Sequence, residues 1–375
     1  MTSQMPEKKP FSILLTSMGS LLGQNMLDTL EGRRDGLRII GLNSVAENPR
    51  NFRADLTYLV PVLQDPAFFD HFMQIFEFES PDLILAGRDD DVLFLTRLKE
   101  ARADLADKIP YGTSACVEIM QSKLKSFQFS QLYSLDFVPS FSLEPDFSWS
   151  ALEKFVETEG FPLILKPLEG FGSHGVYIIT EQTQLQVLKQ AQEPLLLQPY
   201  LDPPADLSDF VSAYQWAMPL FFQIPDENQY AYQTVISPAG ELGPEFAIRA
   251  QMVLGRVEKI ERCLDNSLLS LGRKSAQVFR DQGWRGSFNL QAKQDKEGKW
   301  KVFEFSPRMT GSLSARRLLG FDEMGCLLQF FYPELEFQAE SFQAQSQGLV
   351  MRSLTDGYIA YQDVERLRTE KKWRK

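Results

Sequence analysis

The chain has 375 residues, of which 50 are acidic and 39 basic, giving a formal net charge of −11. With 43% hydrophobic and 24% charged residues it is not a disordered chain, it has length for two or three compact units, and its acidity argues against nucleic acid as the main partner. Three scattered cysteines (Cys116, Cys263, Cys326) and two histidines (His71, His174) exclude a disulfide framework, a thiolate zinc site and an imidazole metal cluster, and make a reducing cytoplasm the expected compartment.

Lys8 and Lys9 precede apolar residues 11–22, a layout that superficially resembles a signal peptide. Ser12, Thr16, Ser17, Gly19 and Ser20 interrupt it, which favours a first strand and helix. No run reaches the ~18 apolar residues of a spanning helix, so a soluble protein with no membrane partner is expected. Short apolar runs at 11–16, 37–42, 58–62 and 83–86 alternate with amphipathic stretches at 21–30 and 68–76, the pattern of βαβ units on a parallel sheet. The first loop, Ser17-Met18-Gly19-Ser20, lacks the glycine spacing of a dinucleotide site. Gly87-Arg88-Asp89-Asp90-Asp91 follows a strand, where open α/β sheets bind ligands; a solvated loop is the plain alternative. A helix carrying Lys123 and Lys125 is predicted over 115–135, and the main boundary is placed near 115. From there strand pairs and helices over 152–158 and 181–191 suggest an α+β unit running to about 335. The tail over 364–375, rich in Arg and Lys, reads as a solvated helix end.

Within this second unit, Gly170-Phe171-Gly172-Ser173-His174-Gly175 joins a strand ending at Lys166 to another over 176–179. A glycine loop between two strands does not open a helix, so it is not a Rossmann site. Gly170, Gly172 and Gly175 can bring backbone N–H groups close to phosphate oxygens, Ser173 can add a hydroxyl and Lys166 a positive charge, although a plain tight hairpin needs glycines too. A kinase places its lysine after the loop and needs His-Arg-Asp and Asp-Phe-Gly motifs that this chain lacks. Further on, residues 283–291 and 301–308 alternate as two antiparallel strands around a turn at 295–298. Phe288, Leu290, Ala292, Phe303 and Phe305 make the apolar face, and Asn289, Gln291, Glu304 and Ser306 lie together opposite. A two- or four-residue turn sets Gln291 beside or diagonal to Glu304, whereas a three-residue bulged loop breaks that register. Such oxygen ligands suit Mg²⁺, with Arg308 just beyond able to hold a carboxylate or phosphoryl group; a merely solvated face shows the same alternation.

The order of these motifs, with Gln121-Ser122-Lys123, Ile164-Leu165-Lys166-Pro167, Leu196-Leu197-Gln198-Pro199-Tyr200-Leu201, Ile248-Arg249-Ala250-Gln251 and Phe303-Glu304-Phe305-Ser306-Pro307-Arg308, resembles the ATP-grasp superfamily, in particular its carbamoyl-phosphate-synthase-like branch, from residue 11 to about 331. Ser122, Gln251 and Ser306 stand where that family has aspartate, arginine and asparagine. The resemblance implies a Rossmann-like pre-ATP-grasp α/β domain over 1–114 and an ATP-grasp domain of two α+β subdomains over 115–335, with nucleotide between them. It further implies a lid over about 125–200 and a C-terminal extension over 336–375.

In function it implies an ADP-forming, ATP-dependent ligase. A carboxylic acid, an amino acid among the candidates, becomes an acyl phosphate that an amine, thiol or similar nucleophile displaces. Implied nucleotide contacts are Lys123, Lys166, Gly170, Gly172, Ser173, Gly175, Gln198, Tyr200, Leu201 and Asp206. Gln291, Glu304 and Ser306 would hold Mg²⁺ or Mn²⁺, and Lys166, Arg249 and Arg308 would act on phosphate and carboxylate. Arg316 and Arg317 are candidate anion binders. An ATP-binding regulatory or scaffolding protein with decayed motifs is the alternative.

Overall fold

Apolar side chains on both faces make β1 (Phe11–Leu15) a buried central strand, with Ile13 and Leu15 in one core and Leu14 in another. The computed structural model describes residues 9–144, 146–168, 175–190, 193–213, 226–253, 256–337, 348–353 and 359–375. Ser20 ends the first loop by accepting a hydrogen bond from the Gly23 amide, so α1 (Leu21–Leu30) starts there. With β2 (Leu37–Asn43), β3 (Leu56–Leu59), α2 (Phe68–Glu79), β4 (Leu83–Leu85) and α3 (Asp89–Ala101) it builds a parallel sheet ordered β3-β2-β1-β4. The order reverses between β1 and β4, which opens a crevice at their carboxyl ends, beside Thr16 and Gly87.

The single helix expected over 115–135 is two helices, α4 (Ser114–Gln121) and α5 (Lys123–Leu132). Ser122 closes the first and caps the second, its hydroxyl accepting from the Lys125 amide. A short polar side chain that competes for backbone donors breaks a helix in this way.

A second, antiparallel sheet contains β5 (Phe141–Leu143), β6 (Leu163–Pro167), β7 (Tyr177–Ile179) and β8 (Leu195–Pro199), ordered β5-β8-β6-β7 and packed on α6 (Trp149–Glu159). The helix expected over 181–191 is a 3₁₀ segment, Gln182–Gln190. This sheet has its own core, from Leu143 to Leu197, whereas Phe129 of α5 belongs to the larger core around the first sheet.

After α7 (Leu207–Ala213), the third sheet takes β9 (Asp226–Ile236), β10 (Phe246–Val253), β11 (Arg256–Cys263), β12 (Gly286–Gln294), β13 (Trp300–Ser306) and β14 (Leu349–Met351), ordered β13-β12-β9-β10-β11-β14. Helix α8 (Asn266–Asp281) covers one face; α9 (Leu313–Leu318) and α10 (Glu323–Phe331) cover part of the other. Both large cores contain residues of the first and third sheets, which ties those sheets into one body. At their junction Gly286 has φ +90°, and a β-carbon there would stand 2.1 Å from the Pro110 carbonyl oxygen, so β12 can start here only as glycine.

The tail corrects the sequence reading. Helix α11 (Tyr361–Glu370) ends, and β15 (Lys372–Arg374) adds antiparallel to β3 on the edge of the first sheet. Trp373 explains it, meeting Phe52 edge-on at 5.4 Å while Lys372 lies over the Tyr58 ring. Among the described residues, no helix is long and apolar enough to cross a membrane.

Candidate nucleotide and metal site

The hairpin of β12 and β13 turns at Asp295–Gly298, closed by the Gly298 amide donating to the Asp295 carbonyl at 2.9 Å. Its register sets Gln291 directly opposite Glu304 and Asn289 opposite Ser306, so all four share the face anticipated for them. The register slips after Gln291, leaving Phe303 without a cross-strand partner. Its ring still packs against the larger core, and lies 5.8 Å from the Lys166 ammonium. On the other side of β12, β9 continues both rows with Ala231 and Gln233, and Gln229 donates to the Gln291 side-chain oxygen.

Lys166, on β6, and Lys123, at the start of α5, are both buried, and Lys166 interacts with both the Lys123 charge and that of Glu304. The Lys123 amide donates to the Leu168 carbonyl at 3.0 Å, fixing the helix start beside the end of β6. Burial, reinforced by the Lys123 charge and opposed by Glu304, pushes the Lys166 ammonium down to about 7. A buried lysine facing a second lysine favours an anion that would restore its full charge. Beyond it, β6 and β7 pair antiparallel as predicted; Gly170, Gly172 and Ser173 lie outside the described residues, and Gly175 has φ +71°.

On β8, Gln198 is buried and donates to the Ser140 hydroxyl at 2.7 Å, which commits its amide to holding the strand. Just past the strand, the Tyr200 amide donates to the Pro162 carbonyl and Leu201 joins the larger core. Asp206 is exposed ahead of α7. Lys293 was not anticipated. It stands two residues after Gln291 on the same strand face, buried, with its ammonium 5.6 Å from the Tyr200 ring, and period-two alternation alone would have found it.

The structure does not bring Arg249 to this group. Ile248 shares the Ala231–Gln291–Glu304 row, so Arg249 emerges on the opposite face, exposed and bonded to Asn228 and Glu261. Arg316 is likewise no open anion binder. It is fully buried against Glu323 and donates to Thr310 and Ser312, holding the turn after Arg308. Arg308 itself reaches the crevice of the first sheet, donating to Asp89 at 2.6 Å and to the Met309 carbonyl. Nearby, Asp91 accepts from Thr16 and Ser17, and burial raises its carboxyl to about 6. Through Asp89 the charged cluster after β4 holds the Arg308 guanidinium.

Among the described residues no group of three or more His, Cys, Asp or Glu side chains could hold a metal ion, and Glu304 is the one carboxylate of the expected set. The remaining donors are amide and hydroxyl oxygens. Of these the Ser306 hydroxyl and the Asn289 oxygen are buried without a hydrogen-bond partner. An all-oxygen set of low charge fits Mg²⁺ or Mn²⁺, which bring water and phosphate ligands of their own.

No family model matches the chain, and no curated protein matches it. Solved structures do. N5-carboxyaminoimidazole synthetase from Staphylococcus aureus, complexed with ADP, superposes with a TM-score of 0.63 at 14% identity, over 90% of this chain and 80% of that one. The biotin carboxylase domain of Hydrogenobacter thermophilus 2-oxoglutarate carboxylase, complexed with MgADP, ADP and bicarbonate, gives 0.64 at 13%, over 92% and 74%. L-amino acid ligase from Bacillus licheniformis gives 0.61 at 16%, over 89% and 78%. These are ATP-grasp enzymes of the carbamoyl-phosphate-synthase-like branch, and the chain has their fold.

Proposed function

We propose that the protein is an ADP-forming ligase that joins a small carboxylic acid, an amino acid among the candidates, to an amine or thiol through an acyl phosphate. The observation that carries this reading is the burial of Lys166 beside Lys123 and opposite Glu304, where two sheets meet. A carboxylate oxygen attacks the γ-phosphorus of ATP, ADP leaves, and the nucleophile then displaces phosphate from the acyl carbon. The barrier is charge, so Lys123 and Lys166 would neutralise phosphate oxygens. Glycines 170, 172 and 175 with Ser173 would cover them, and Gln198, Tyr200, Leu201 and Asp206 would line the nucleoside. Gln291, Glu304 and Ser306 would hold Mg²⁺ or Mn²⁺, which when bound supplies further positive charge. Arg308, released from or shared with Asp89, would steady the carboxylate. Arg249 has no part in this arrangement.

Supporting the reading are the ADP and MgADP named in the neighbours' structures and the carboxylate chemistry that their names imply. The test is an ADP-release screen over amino acids and other small carboxylates, with hydroxylamine present to convert any acyl phosphate to a hydroxamate. Carboxylate-dependent ADP with hydroxamate is the expected result. Magnesium-dependent ATP binding without turnover across the screen would instead support an ATP-binding regulatory protein, a reading favoured by the single carboxylate of the metal set.

A further inference from the structure

On the face of β9, β12 and β13 that carries Gln291 and Glu304, five buried side-chain atoms have no hydrogen-bond partner: both amide atoms of Gln233, the Asn289 oxygen, and the Ser287 and Ser306 hydroxyls. Each such group costs about 1–3 kcal/mol when nothing meets it, so their gathering on one face points to something that meets them there. Asn289 is the best defined. Its Nδ2 donates to the Tyr232 carbonyl at 3.3 Å, which turns Oδ1 away from β9. Across the hairpin stands Ser306, and Glu304 is the diagonal neighbour in the next pair on the same face. Gln291, by contrast, already has its oxygen engaged by Gln229.

We infer that Asn289 is a ligand of the divalent cation, its Oδ1 joining Glu304 and the Ser306 hydroxyl. This rests on the nucleotide-site reading above. Ser306 is too short to reach as far as the asparagine expected at its position, and the facing Asn289 supplies the missing amide oxygen from the opposite strand. The ion so held is a hard one, Mg²⁺ or Mn²⁺, since all donors are oxygens. No role of this kind follows from the motif order, which assigns metal to Gln291, Glu304 and Ser306 alone.

The test titrates Mn²⁺ into the full chain saturated with a non-hydrolysable ATP analogue and follows free Mn²⁺ by electron paramagnetic resonance. Asn289→Ala is expected to weaken Mn²⁺ binding by about tenfold or more. Asn289→Asp, of equal size with a second anionic oxygen, is expected to tighten it and serves if the alanine variant fails to fold. Wild-type Mn²⁺ affinity in a folded Asn289→Ala, or no gain in Asn289→Asp, would overturn the assignment and leave the nucleotide reading intact. Wild-type protein that takes up neither analogue nor Mn²⁺ would overturn both.

Discussion

The two faces of β9, β12 and β13 are built from the same three strands and are opposites in energetic terms. On the back, Tyr232, Phe288, Leu290 and Phe305 close against α8, with the Phe279 ring 4.9 Å from Phe305. Polar atoms there are satisfied: the Tyr232 hydroxyl donates to Glu245 and the Trp284 indole to the Ser287 carbonyl. On the cleft side the rows carry Gln233, Asn289, Ser306, Gln291 and Glu304, and several of their atoms are buried without partners. One face is a fully satisfied core; the other, covered in part by α9 and α10, keeps polar atoms that the chain itself does not satisfy. The proposed site takes the face on which buried polar atoms are left unsatisfied.

Substitutions on each face sharpen that contrast. The largest effect is expected at Lys166→Met and Glu304→Ala, each lowering the rate of ADP formation by about 10³-fold, because the first removes a positive charge beside the phosphates and the second the one carboxylate proposed to hold the metal. Circular dichroism of both variants should stay that of the wild type. On the back face, Phe305→Ala is expected to destabilise by about 3–5 kcal/mol in urea unfolding, the cost of a core cavity. Cleft-side Gln233→Leu should do the reverse. Removing a buried, unpartnered amide at similar volume is expected to stabilise by about 1–3 kcal/mol, read as a higher urea midpoint; an equal loss on both faces would erase the distinction between them. The smallest effect belongs to Arg249→Ala. Its guanidinium is exposed on the back-face side and paired with Glu261, so ADP formation should change by less than about fivefold.

Much of this was legible in the residues. Alternation along residues 288–291 and 303–306 put Asn289, Gln291, Glu304 and Ser306 on one face, because the pleat has period two whatever the fold around it. Apolar runs separated by amphipathic stretches announced the parallel sheet. Other features depend on distant partners. Phe303 loses its cross-strand partner because the hairpin slips by one residue, and a bulge has no signature in composition. The Arg308–Asp89 pair joins residues 219 apart in sequence. Arg249 was carried to the site by motif order, yet the register of β10 against β9 turns it away, and register is fixed by the whole sheet. The tail strand needed Phe52 and Tyr58 to be seen in place before Trp373 and Lys372 made sense.

Calorimetric titration of the full chain with Mg-ATP, at pH 8 in two buffers of different ionisation enthalpy, tests the central claim most directly. Lys166 is held near 7 and is mostly neutral at that pH, and a triphosphate beside it raises its proton affinity. The expected result is one nucleotide site with net proton uptake on binding, and loss of that uptake in Lys166→Met. Binding without proton exchange in the wild type, or no binding of Mg-ATP to the folded chain, would contradict it.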